Sequence, residues 1–375
     1  MDSYDVVIVG AGPAGAAAAI TCTRHGAKTI IIEKRQLPRH KACSGILIPR
    51  SCSIVEEHFG LLPRHVLATP YVVSAMRMHF PGGRSFDVPM DSIGIRRNHF
   101  DYWLCERSGA DISDCTTLVS FREDSDGVTL SLRTAGEKTH AIRCNAMIAA
   151  DGGSSSIVGI LDPTIRQGVQ SYFATQETYQ CTSRLEPGYF HYFALPAISP
   201  YLSAYVKDER LVMEVVAREG ATIDPCMERF KRYLWPKIGV DKAERVRRIG
   251  CRVTMSASSG RFYFGTDRIL VAGEASGLLN IFGEGISSAL ASGLLAGQAA
   301  VQGLIEGIGP GPRYRREVQP ERQRTQEQYN YKKHLFRTSG IFDWQSGLTR
   351  VPWKDRILLL KDIMTWFVEL QQATR

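Results

Sequence analysis

The chain opens on Asp5-Val6-Val7-Ile8-Val9-Gly10-Ala11-Gly12-Pro13-Ala14-Gly15, passes through an alanine-rich run to Ile20, and resumes at Thr29-Ile30-Ile31-Ile32 before Glu33. A short apolar run breaks at glycines, gives way to about three turns of helix former, and returns as a second apolar run closed by an acid. That order is strand, turn, helix, strand. Gly10 permits the tight turn, Gly12 lets backbone approach a pyrophosphate, and Gly15 lets the helix lie close on the sheet. Pro13 and Ala14 stand in the first helical turn, where free N–H groups face negative charge. Glu33 falls where a carboxylate accepts the hydroxyls of an adenosine ribose. A lone GxGxxG is weak, but one set between a strand and a helix with its acid at this remove implies an adenine dinucleotide.

At 375 residues the chain can bury a large core and carries two or three structural units. Its nine cysteines are odd in number and scattered, with no CxxC pair. This favours a reducing compartment and argues against a zinc or iron–sulfur site, so no metal is expected. The first strand begins within a few residues of Met1, leaving no room for a signal peptide, and no run of about 18 apolar residues spans a bilayer. A cytoplasmic or peripheral protein is expected. The net charge of +8 suits anionic partners such as cofactor phosphates, and no nucleic-acid-binding motif accompanies it.

After Glu33 the chain turns through a basic loop from Lys34 to Ile46. Lys34, Arg39 and Lys41 can meet a phosphate or an anionic flavin, with Ala42, Cys43, Ser44 and Gly45 completing the loop. Cys43 reads either as a buried small hydrophobe or, if exposed beside Arg39 and Lys41, as an activated thiol. Residues 51–65 suggest a helix and 71–90 a strand pair, with Pro81-Gly82-Gly83-Arg84 as the turn. Arg97 stands where a strand joins the helix that starts near Asn98. Three strand-like segments over 116–144 lead into an apolar strand ending at Asp151-Gly152, on the ligand edge of an open sheet.

Residues 167–256 have another texture: an aromatic strand over 189–193, two further strands, and an amphipathic helix from Pro225 to Trp235 stopped by Pro236. A second strong signal follows. A buried strand ends in Gly273-Glu274, and Gly283-Glu284-Gly285-Ile286 opens a long small-residue helix, so Glu274 can meet a ribityl hydroxyl while the helix start faces an electron-rich ring.

These motifs together resemble the geranylgeranyl reductase family, within the p-hydroxybenzoate-hydroxylase-like FAD enzymes that also include hydroxylases and halogenases. The resemblance covers about residues 4–300. It rests on Gly10-x-Gly12-x-x-Gly15 with Glu33, on Asp151-Gly152, on Gly273-Glu274, and on Arg97 with Phe100-Asp101-x-x-Leu104. Pro38-Arg39-x-Lys41-x-Cys43-x-Gly45 matches the reductases' Pro-Arg-x-Lys-x-Cys-Gly-Gly except that Ser44 follows the cysteine. Their Tyr-x-Trp-x-Phe-Pro strand is matched in part by Tyr189-Phe190-His191-Tyr192-Phe193, which makes His191 a second catalytic candidate beside Cys43. The halogenases' Gly-Glu-Ser after Pro-Arg-His is absent.

The resemblance implies an α/β protein, α+β in its second part. A discontinuous Rossmann-like FAD domain of the glutathione-reductase-like type would take 1–70, 91–166 and 257–310, an antiparallel-sheet substrate domain 71–90 and 167–256, and a helical region 311–375. It further implies FAD held by the residues named, with NAD(P)H or a ferredoxin-like protein as electron donor. The substrate would be a large apolar molecule or lipid, reduced at carbon–carbon double bonds; hydroxylation of an aromatic or polycyclic molecule is the alternative. Arg313 to Lys333 reads as a solvent-faced helix. A compact apolar helix over 357–370 would dock on its own domain or lie on a membrane surface. Monomer and homodimer both stay open.

Overall fold

A computed structural model describes residues 2–338, apart from 81, 137, 138, 166, 196, 281 and 282, and apart from the side chains of 331–338. The chain starts with β1 (Asp2–Val9), α1 (Pro13–Arg24) and β2 (Thr29–Ile32), the order that its glycine spacing dictates. Val6, Val7 and Ile8 are fully buried, as a strand covered on both faces requires. Beyond β2 come β3 (Ile46–Leu47), α2 (Pro49–Phe59), β4 (Leu67–His79), β5 (Ser85–Ile95), α3 (Arg97–Ser108) and β6 (Asp111–Ser113). A meander of β7 (Thr117–Glu123), β8 (Val128–Arg133) and β9 (Thr139–Ala149) follows, then α4 (Ser156–Leu161).

The first sheet has the order β6-β2-β1-β9-β8-β7, with β15 (Ile269–Val271) also against β9. β9 is one continuous strand that serves twice: its first half pairs antiparallel with β8, and its second half lies parallel to β15. The sequence suggests two separate strands here, but the pleat runs unbroken from Thr139 to Ala149. One face of the sheet is covered by α1, α3 and α6 (Ile286–Glu306). Gly293 and Gly297 make the α1–α6 contact possible, since a Cβ on either would stand 2.2 Å from the Ala14 carbonyl oxygen or 2.7 Å from that of Ala18. On the other face Leu130 and Leu132 join Val7, Met147 and the α4 residues Ile157 and Val158.

The second sheet takes β10 (Ser171–Gln180), β11 (Tyr189–Phe193), β12 (Tyr201–Lys207), β13 (Arg210–Arg218) and β14 (Glu244–Thr254), in the order β14-β10-β13-β12-β11-β4-β5-β3. The expected antiparallel sheet contains one parallel pair, β4 with β11, in register from Ala75↔Tyr189 to His79↔Phe193. Parallel neighbours need a long crossover, and residues 80–188 supply it. β4 and β5 also extend past the expected 71–90 span, and β3 joins the sheet at β5. Helix α5 (Ile223–Ile238) covers one face, packing Met227, Phe230 and Leu234 on Leu202, Ala204, Met213 and Val215. It runs through Pro236 rather than stopping there. In the last turn proline forfeits one backbone bond, and the helix runs two residues on to Ile238 before closing at Gly239, which takes φ 68°.

The region beyond 310 forms α7 (Gly311–Glu317) and α8 (Gln319–Thr338). It is not simply solvent-faced. Tyr314, Val318, Glu321 and Tyr329 recur at helical spacing and are buried, with the Tyr314 hydroxyl donating to the Val271 carbonyl at 2.9 Å. The apolar segment 357–370 lies outside the described residues.

Candidate active site

Between the two sheets lies a cavity of about 920 Å³, at the upper end of the ~300–1,000 Å³ range of small-molecule sites. Its first wall is the carboxyl edge of β1, β2, β9 and β15, as an open α/β sheet demands. Gly10, at φ 115°, has no room for a Cβ, which would sit 2.4 Å from the Ala150 carbonyl oxygen. Gly12 is open: the nearest atom to its Cβ position is the Arg39 guanidinium at 3.7 Å. Gly15 lies behind the wall, where a Cβ would strike the Gly10 oxygen at 2.0 Å. Pro13 and Ala14 line the cavity at the start of α1, whose N-cap Gly12 offers no side-chain partner to the helix N–H groups.

Glu33 is 6% exposed. Its Oε2 accepts from the Ala11 N–H at 3.2 Å and from Arg39 Nε at 2.9 Å, and its Oε1 from the Arg35 N–H at 3.0 Å. Arg39 continues to Asp101 at 3.1 Å and to the Ala11 carbonyl at 3.0 Å, so its guanidinium braces the glycine turn. Lys34 lies beside them on the wall. Lys41 approaches Glu274 at 3.9 Å. Glu274 rests on the Asp151-Gly152-Gly153 segment, where a Cβ on Gly153 would meet its carboxylate at 2.3 Å. Asp151 Oδ2 accepts from the Ser156 N–H, while its buried Oδ1 has no protein partner, and burial pushes the carboxyl upward. Gly152, Gly283, Gly285 and Ile286 complete this side.

The Cys43 loop closes the cavity between the sheets. Ala42, Cys43 and Ser44 line it, whereas Gly45 stands behind at φ 70° because Ile95 and Lys207 leave no space for a Cβ. The Cys43 sulfur accepts from the Gly45 N–H at 3.3 Å. Its backbone carbonyl accepts from Gln176 at 3.1 Å, and the Ser44 carbonyl from the Lys207 amine at 2.9 Å. Burial holds that amine below its ordinary value. The cation at the thiol is not Arg39 or Lys41, as the loop sequence suggests. It is Arg97, fixed by Asp101 at 2.7 Å, which holds it charged despite its burial, and the Lys207 amine also feels the thiol. Arg39 is drawn away because Glu33 and Asp101 together offer it more than one neutral thiol can.

The second wall comes from the cavity face of the other sheet. Met76, Met78, Phe190, Tyr192, Tyr201 and Val216 make it apolar. His191 is on the opposite face, which corrects its expected place in the site. Successive residues of a strand point to opposite faces, so Phe190 and Tyr192 enter the cavity while His191 Nδ1 meets His79 Nε2 at 2.9 Å behind the sheet. Sequence reasoning missed Gln176, Ser203, Tyr205 and Glu214, a polar group set in this wall. The alternation Leu202, Ala204 against Ser203, Tyr205 is the signal that was there to find them.

Residues 3–275 match the family model described as FAD binding domain. The chain belongs to that family. Its relatives include the digeranylgeranylglycerophospholipid reductase of Methanocaldococcus jannaschii, 27% identical over 81% of this chain and 78% of that protein. The geranylgeranyl diphosphate reductase of Rhodobacter capsulatus is 26% identical over 81% and 76%. A crystal structure of a geranylgeranyl bacteriochlorophyll reductase-like protein from Thermoplasma acidophilum shares the fold, with a TM-score of 0.81 over 99% of this chain and all of that one, at 18% identity. This member of the FAD-binding family is a flavin-dependent oxidoreductase of the geranylgeranyl reductase type. The cavity suits the cofactor on its own evidence: a glycine turn open at Gly12, an uncapped helix start, and a buried carboxylate oxygen at Asp151 without a protein partner.

Proposed function

We propose that the chain reduces carbon–carbon double bonds of a prenyl or other large apolar substrate with FAD, which when bound and reduced supplies hydride. Non-covalent FAD would lie along the first wall. Gly10, Gly12, Pro13 and Ala14 would face its pyrophosphate, Glu33 and Lys34 its adenosine side, and Asp151, Gly152, Glu274, Gly283, Gly285 and Ile286 its ribityl and ring side. Arg39 and Arg97 support this arrangement from beneath, as braces of the glycine turn and of Cys43. The proposed frame is a discontinuous FAD domain of the glutathione-reductase-like type over 1–70, 91–166 and 257–310, with a substrate domain over 71–90 and 167–256 whose sheet also takes in β3 and the ends of β4 and β5.

One observation carries the reading: the Cys43 loop stands between the dinucleotide cradle and an apolar wall, with its thiol beside a fixed cation. A thiol so placed gives its proton to the second carbon of the double bond, and Arg97 stabilises the thiolate left behind. The apolar wall seats the chain of the substrate and excludes water from the reacting carbons. NAD(P)H visiting transiently, or a ferredoxin-like protein, would supply electrons. The proposed setting is cytoplasmic, with peripheral membrane contact as the alternative. Among the described residues only the helix Ile286–Glu306 is long and apolar enough to cross a membrane, and it packs on α1.

Purified protein should be yellow and release FAD on denaturation; release of FMN, or of no flavin, removes the cofactor assignment. Anaerobic turnover of an unsaturated prenyl substrate by reduced enzyme tests the chemistry. Strict dependence on oxygen, with a product gaining one oxygen atom, overturns it in favour of hydroxylation.

A further inference from the structure

The apolar wall holds, at its middle, a carboxylate that neither the cofactor cradle nor the Cys43 chemistry uses. Glu214 sits at the middle of β13, on the cavity side, between Met213 and Val215, which point to α5. Its Oε1 accepts from Gln176 Nε2 and, at 3.1 Å, from the Tyr205 hydroxyl. Its Oε2 accepts from the Ser203 hydroxyl at 2.6 Å. Ser203 is fully buried and Tyr205 nearly so. The Gln176 amide is oriented by its surroundings, because the Cys43 carbonyl, the Tyr205 oxygen and Glu214 are all acceptors and call for the NH₂ end.

Two strands, β10 and β12, thus aim three neutral donors at one carboxylate. Among the described residues no lysine or arginine forms an ion pair with it; Lys207 senses its charge but spends its hydrogen bond on the Ser44 carbonyl. Each such donor fills an acceptor position of the carboxylate. A carboxylate has about four acceptor positions, and three are filled. The open position is on Oε2, on a group that lines the cavity. The same charge raises the neighbouring buried Tyr201 hydroxyl well above the ordinary phenol value, after burial itself, which keeps that phenol neutral beside it.

We infer that Glu214 is a specificity-determining residue that accepts a hydrogen bond from a hydroxyl of the substrate, so that the ligand is an apolar molecule carrying an alcohol or phenol against this wall rather than a bare hydrocarbon. A hydrocarbon laid over Oε2 would strip its last water and return nothing, the asymmetry by which polar sites reject analogues lacking the matching group. The inference rests on the apolar-substrate reading above and deepens it.

The test uses FAD-loaded enzyme and two matched pairs of ligands, geranylgeraniol with its methyl ether and 2-naphthol with 2-methoxynaphthalene, in equilibrium titrations by calorimetry. Within whichever pair binds, the hydroxyl compound should bind at least about tenfold tighter to the wild type, one good hydrogen bond to a charged group being worth that much. The preference should vanish in Glu214→Leu and shrink in Glu214→Gln, with flavin content of both variants reporting that they have folded. Donor preference confined to the naphthol pair leaves the inference standing and removes the prenyl reading. Equal affinities within the pair that binds, binding by neither pair, or a preference that survives Glu214→Leu in folded protein overturns the inference.

Discussion

Replacing Cys43 with serine separates chemistry from architecture at the centre of the cavity. A serine hydroxyl can take over both structural roles of the sulfur, accepting from the Gly45 N–H, now at 3.3 Å, and facing the Arg97 guanidinium. The loop is held independently through its backbone, by Gln176 on the Cys43 carbonyl and Lys207 on the Ser44 carbonyl. Flavin content and reduction by the donor should therefore be unchanged. What serine loses is acidity: an alkoxide beside Arg97 is a far poorer leaving base than a thiolate. Loss of a general acid slows a step by about 10²–10⁴-fold, or ~2.7–5.4 kcal/mol of barrier. Water in a cavity this large can stand in for part of it, so the expected minimum is about tenfold, ~1.4 kcal/mol. The assay is single-turnover reoxidation of the reduced, anaerobic variant by the unsaturated substrate. A rate within about twofold of wild type at equal flavin content removes Cys43 from proton transfer and leaves it as a loop residue.

Gly15→Ala should abolish FAD retention, because its methyl would lie 2.0 Å from the Gly10 oxygen and push the phosphate turn off its helix; absorbance near the flavin band after purification reads it directly. Arg39→Ala strands the buried carboxylate of Glu33 and half of the partners of Asp101, so it should destabilise the fold by ~3 kcal/mol in urea titration; a change under ~1 kcal/mol would mean that water replaces the guanidinium. The His79–His191 pair sets an acid limit. Burial, then His191 and Arg77, pushes His79 down to about 4 from 6.5, and burial lowers His191 too. The unfolded chain takes up these protons below about pH 6.5 while the folded one resists until about 4, so stability is full above that window and declines as pH falls through it. Since His79 is only half-buried, the loss should be ~1–2 kcal/mol between pH 7 and 4.5, and His79→Phe should flatten that slope.

The cofactor side of the molecule was legible in the sequence because its determinants are local. Gly10, Gly12, Gly15 and Glu33 lie within one strand-helix-strand unit, and backbone sterics assign each glycine its place. The substrate side was less so. The strand Tyr189–Phe193 is aromatic or imidazole at every position, so its composition gives no parity, and only pairing with β4 and β12 decides that His191 turns from the cavity. Arg39 turns from the thiol and Arg97 stands there instead, because Asp101, one helical turn past Arg97, binds both guanidinium groups. Glu214 and Gln176 become a site only when β10 and β13 lie side by side, which no short window reveals. Pro236 misled because so near the helix end its cost is one backbone bond, and the helix runs past it to Ile238.

The close embrace of α1 and α6 has a consequence for the chain's birth. Helix α1, which begins at the phosphate turn, is seated on a helix whose contact glycines, Gly293 and Gly297, are synthesised some 280 residues later. β1 likewise waits for β9, more than 130 residues on, to gain its second neighbour. Such distant pairings make the cradle slow to assemble, since loop closure must precede every stabilising contact. The nucleotide-binding half therefore cannot mature as an early, autonomous unit. It ripens only once the whole intervening substrate sheet has emerged, and a nascent chain released before Gly297 would carry an intact phosphate-loop sequence with nothing to close it.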